Sequence, residues 1–107
     1  MARDTLILQF DTSGAIGDLD WLVHIEDVLI QGFSQNGSAH VDGHDFGSGT
    51  MSIYLFPTRG WTAAIEIVKA YLSRHGALDR CLIIKRLKSG RYKVAWPEGF
   101  TGDFERL

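Results

Sequence analysis

Apolar positions recur along this chain with two periods, and each period predicts its own elements. Thr5 to Phe10 is a short apolar and β-branched run closed by the turn-forming cluster Asp11-Thr12-Ser13-Gly14, which predicts a first strand. Leu22, Ile25, Leu29 and Phe33 then recur at helical spacing beside Trp21 and Val28, while Asp20, Glu26 and Asp27 take other positions. This predicts an amphipathic helix from Leu19 to Gln31, with Asp18 as its N-cap and Gly32, then Asn36-Gly37, as its stop and turn.

The stretch HVDGHDFGSGTMSIYLF, His40 to Phe56, reads as a hairpin. Ala39 and Val41 are expected to face inward, Gly43 marks a bulge or a close backbone approach, and Gly47-Ser48-Gly49 forms the turn. Thr50 to Phe56 sets Met51, Ile53 and Leu55 against Ser52, Tyr54 and Phe56, a strand with an apolar face and an aromatic, amphipathic one. Pro57 to Gly60 breaks it, and Thr58 is expected to cap the next helix. Trp61, Ile65, Val68 and Leu72, widened by Ala64 and Tyr71, predict that second helix, stopped at Gly76. Cys81 to Leu87 and Arg91 to Trp96 are two more strands joined by a turn at Ser89-Gly90.

The order is β-α-β-β-α-β with one extra C-terminal strand, the split βαβ arrangement of a ferredoxin-like α+β sandwich. It predicts an antiparallel sheet with two helices on one face, and the first strand beside the Thr50 to Phe56 strand in the middle. The other sheet face is expected to be open and to display Tyr54 and Phe56. At 107 residues without repeats or linkers, a single domain spanning 1–107 is expected.

Composition narrows the class. Apolar residues make up 45% and charged ones 22%, values of an ordinary globular chain. The apolar runs are far short of the roughly 20 residues needed to span a bilayer, and the N-terminal run lacks the length of a secretory signal, so a cytoplasmic protein without membrane contact is expected. The lone Cys81, among Leu82, Ile83 and Ile84, predicts a buried thiol and no intrachain disulfide. The net charge of −2 hides a division: residues 1 to 58 carry eight acids against Arg3, and residues 59 to 93 carry nine bases against Glu66 and Asp79. Such a bipolar chain steers a charged partner, unless the two halves neutralise each other within the fold.

Three chemistries compete for the special residues. On an unbulged strand His40, Asp42 and His44 would project to one side with Asp45 beside them, a ligand set suited to zinc or another first-row metal in a small metal-dependent enzyme. Without that convergence the two acids bond nearby backbone N–H groups and the histidines sit in solvent. The glycines 43, 47 and 49 lead into a strand, not a helix, so they are turn and bulge devices and not a phosphate loop, and Ser48 lacks a nucleophile elbow. The basic hairpin, with Arg86, Lys88, Arg91 and Lys93 interleaved with Tyr92 and Trp96, has the composition of a nucleic-acid surface. Its competing role is to guard an exposed edge, and the acidic net charge and the absence of an RRM aromatic signature in GTMSIYLF argue against nucleic acid.

The run Asp42-Gly43-x-Asp45-x-Gly47-Ser48-Gly49-x-Met51-x-Ile53 resembles the hairpin of a family of small uncharacterised bacterial proteins of ferredoxin-like topology, some of them similar to immunity proteins of toxin systems. That resemblance implies action by binding and gives no catalytic residue to carry over; no cofactor is expected. The expectation is therefore a binding domain that presents His40, Asp42, His44, Asp45 and Ser48 to a protein partner, with a homodimer through the open sheet face as a further expectation.

Overall fold

The computed structural model describes residues 3–12, 16–47 and 49–100. Its elements are β1 (Thr5–Asp11), α1 (Asp18–Asn36), β2 (Ala39–Phe46), β3 (Thr50–Pro57), α2 (Trp61–Arg74), a short 3-10 turn (Leu78–Arg80), β4 (Cys81–Arg86) and β5 (Tyr92–Trp96). The five strands form one antiparallel sheet in the order β2-β3-β1-β4-β5, with β1 and β3 side by side near the centre and β2 and β5 at the two edges.

Alternation along β1 divides the sheet into two faces. Leu6, Leu8 and Phe10 pair across to Leu55, Ile53 and Met51 on β3, and Leu8 and Phe10 to Ile83 and Cys81 on β4. These residues share one buried cluster with Leu22, Ile25, Leu29 and Phe33 of α1 and Ala64, Val68 and Leu72 of α2. Both helices thus cover the same face, and the 3.6-residue stripes seen in the sequence are what they bury.

The opposite face is not open at its centre. Ile7, with Tyr54 and Ile84 as its cross-strand partners, is fully buried, as is Ile84, and Thr5, Gln9 and Ser52 are buried beside them. Tyr54 and Phe56 are half-buried, and the Arg3 guanidinium lies 4.2 Å from the Phe56 ring centroid. The broad apolar display expected there is therefore reduced to partly covered rings.

Three local expectations are corrected by packing. The N-cap of α1 is Gly17 at φ +110°, and Asp18 sits one residue later in the first turn, where its charge and that of Asp20 still suit the positive helix end. The helix runs through Gly32 to Asn36 and stops at Gly37, φ +75°, because Gly32 accommodates the Tyr71 ring of α2 instead of ending the turn. Thr58 does not cap α2: its hydroxyl donates to the Gly37 carbonyl and its N–H to the Ser38 carbonyl, tying the end of β3 to the end of α1. Arg59 packs beside Gly37 and supplies the positive charge that the last turn of α1 lacks.

Cys81 is buried in the main cluster, and burial pushes its thiol well above the ordinary range. The folded protein is expected to be silent to a thiol-specific chromogenic reagent and to release one equivalent once unfolded in guanidinium; labelling of the native form at the rate of a free thiol would refute this burial.

Candidate functional site

The edge strand β2 carries most of the residues singled out in the sequence, and a bulge decides where each one points. Val41 pairs with Leu55, but Gly43 pairs with Tyr54, so Asp42 is the extra residue in the ladder. Before the bulge, Ala39 and Val41 face the helices and His40, opposite Phe56, faces away. After it the sense is reversed: His44 and Phe46, opposite Ile53 and Met51, lie on the helix side, and Asp45, opposite Ser52, on the other. The bulge therefore separates the trio His40, Asp42 and His44 that a regular strand would align. Among the described residues no three His, Cys, Asp or Glu side chains gather where an ion could be held. Ser48 lies outside the described residues.

What β2 brings together is a different pair. His44 Nδ1 lies 3.0 and 3.1 Å from the two carboxylate oxygens of Glu26 on α1, and because an ionised carboxylate only accepts, the imidazole donates. The Glu26 side chain is 12% exposed and that of His44 33%. The contact pins the bulged end of the edge strand to the helix. A carboxylate that orients an imidazole is one arm of an acid–base relay, which also needs a nucleophile or a substrate group at the other ring nitrogen. Cys81, the buried thiol, is on β4, three strands away from β2. Glu26 is legible in the sequence as an anomaly: it falls within the Leu22, Ile25, Leu29, Phe33 stripe, where an acid needs a partner.

The direction of α1 along β2 follows from the same contacts. Glu26 meets His44, while Ile30, Phe33 and Ser34 meet Ala39, His40 and Val41 around a groove of about 390 Å³. The helix therefore runs opposite to the strand, and Leu19 and Phe46 fall toward the same end. Leu19, Ile30 and Phe46, 46%, 43% and 45% exposed, are three of the exposed large apolar residues, and all belong to this edge. Asp42 and Asp45 are exposed on β2 and Asp27 on α1. No lysine or arginine occurs between residues 4 and 58. Burial, and secondarily the charge of Asp45, raises the Tyr54 phenol above its ordinary value.

The basic residues of the β4–β5 hairpin lie at the opposite edge, so the acidic edge and this hairpin do not face each other. Arg86 pairs with Tyr92 on the face away from the helices, Lys85 and Lys93 share the helix side, and Lys88 and Arg91 occupy the turn between β4 and β5. A register shift between Ile83 and Ile84 brings Trp96 opposite Ile83. There Trp96 packs on the main cluster, its indole N–H bonds the Leu78 carbonyl at 3.4 Å, and the Lys69 ammonium sits 4.5 Å from its ring centroid. The indole expected to stack on a base thus already carries an intramolecular cation. Lys85 over Trp61, Arg80 over Trp21 and Arg74 over Tyr71 use their charges in the same manner.

Compared with protein-family models, with curated proteins and with solved structures, the chain matches none.

Proposed function

We propose that this chain is a protein-binding domain whose docking face is the acidic edge built by α1 and β2. The supporting observation is the exposure of Leu19, Ile30 and Phe46 on these two elements, with a groove lined by Ile30, Phe33 and Val41 and with Asp27, Asp42 and Asp45 exposed on the same two elements. Exposed apolar side chains gathered on one side, with a polar surround, are the pattern of a contact surface. The expected presentation of residues 40–49 is thereby sharpened: His40, Asp42 and Asp45 border a surface whose apolar part comes from α1 and from Phe46. The strand order β2-β3-β1-β4 supports a ferredoxin-like framework to which β5 adds an edge. An immunity-protein-like mode, in which a partner is blocked by being bound, needs only such a face. No helix among the described residues is long and apolar enough to cross a membrane.

The test is capture from an extract of the source cells, comparing wild type with Ile30→Asp/Phe46→Asp and with Lys88→Glu/Arg91→Glu. The first variant is expected to lose the partners that wild type retains, and the second to keep them. The opposite result would move docking to the β4–β5 end and refute the assignment.

A further inference from the structure

The edge of β2 adds chemical detail to the docking face, and an inference drawn from it rests on that reading. In the order β2-β3-β1-β4-β5, β2 has β3 on one side and no described strand on the other. A bare strand edge presents N–H and C=O groups at strand spacing, which an extended peptide can satisfy. A strand added there would send alternate side chains to the two faces of the sheet. On the helix side they would meet the groove between Ile30, Phe33 and Val41, large enough for an aliphatic or aromatic side chain. On the other side they would pass His40 and Asp45, with Asp42 at the bulge between them.

Charge selects among occupants. The two elements of this edge contain Asp18, Asp20, Glu26, Asp27, Asp42 and Asp45, and no lysine or arginine. Pairing of β2 with β2 of a second copy would bring Asp42 and Asp45 of each copy toward like charges, which is unfavourable across a strand pair. An extended segment with lysine or arginine on one face and apolar residues on the other reverses that sign. We propose that β2 accepts, by strand addition, an extended peptide segment of alternating apolar and basic residues, the apolar ones entering the α1–β2 groove and the basic ones facing Asp42 and Asp45.

The experiment uses fluorescein-labelled synthetic peptides titrated with the full chain and read by anisotropy. One alternates lysine with valine or leucine; a second has the same composition with the lysines in one block; a third replaces lysine by glutamate; a fourth is the alternating peptide with N-methyl groups on the backbone nitrogens of one edge. The alternating peptide is expected to bind at least about tenfold more tightly than the other three, and its affinity to fall with salt. Asp42→Asn/Asp45→Asn is expected to flatten that salt dependence, and Ile30→Asp to abolish binding while leaving the circular dichroism spectrum and melting unchanged. Equal binding of the block and N-methylated peptides would reduce the effect to charge alone and overturn strand addition. A stable dimer that Ile30→Asp converts to monomer would make a second copy the occupant and also overturn it. If none of the peptides binds although wild type still retains partners that Ile30→Asp/Phe46→Asp loses, the peptide class is wrong and the docking face stands; if neither behaviour is seen, both fall.

Discussion

Replacement of Phe10 by alanine is expected to cost about 3–5 kcal/mol, the range for emptying a fully buried aromatic position. Phe10 has no exposed surface, faces the helices from β1, and is flanked across the sheet by Met51 and Cys81. Its ring also stands edge-on to Trp21 of α1, with centroids 5.2 Å apart and planes at 87°, so the substitution loses a favourable aromatic geometry in addition to burial. The neighbours cannot easily collapse into the void, because those on β3 and β4 are fixed by ladder pairing and Trp21 by its helix. Against a total stability of about 5–15 kcal/mol, this is a large fraction. Urea unfolding should show a midpoint far below wild type with a similar slope, and Phe10→Leu, which keeps most of the volume, should cost under about 2 kcal/mol. A Phe10→Ala protein within about 1 kcal/mol of wild type would show that the site is not packed in this manner.

The second large effect is a coupling between Gly32 and Tyr71. A Cβ placed on Gly32 would lie 2.5 Å from Cζ and 2.8 Å from the hydroxyl oxygen of Tyr71, distances that no real contact allows, so the ring must move. Gly32 is buried within α1, where alanine is intrinsically favoured by about 1 kcal/mol. Two terms of opposite sign therefore compete. Displacing a half-buried tyrosine that packs against the main cluster and underlies the Arg74 guanidinium should win, and Gly32→Ala is expected to be destabilising by about 1–2 kcal/mol. In a Tyr71→Ala background the clash is gone and only helix propensity is left, so the same substitution should stabilise by about 0.5–1 kcal/mol. The double-mutant cycle thus predicts a coupling of about 2 kcal/mol. If Gly32→Ala costs the same in both backgrounds, contact with Tyr71 is not why glycine occupies this position.

These two positions also show how far the chain can be read in advance. Phe10 closes an apolar and β-branched run beside a turn signal, and Gly32 lies in a period-3.6 pattern; the first identifies its strand, while the second reads locally as a helix stop. A glycine supports either a helix end or a close approach, and the partner that decides between them, Tyr71, is 39 positions away. Glu26 is similar. Its place in an apolar stripe announces an acid that must be satisfied, but His44 reaches it only after the bulge has turned that residue toward the helices. Gly43 signals the bulge, yet whether it reverses the alternation depends on pairing with Tyr54, and with that reversal His40 and His44 are divided between the two faces.

By itself the sequence determined the succession of strands and helices, the residues of the main core, the buried thiol and the separation of acidic from basic segments, because each depends on local periodicity, local turn chemistry or simple composition. Tertiary structure alone decided that His44 and not His40 meets Glu26, that Trp96 is occupied by Lys69, and that Leu19, Ile30 and Phe46 stay exposed on α1 and β2. Those outcomes depend on the two register shifts and on the direction of α1 along β2. All three are set by contacts between residues far apart in the chain, which no local pattern encodes.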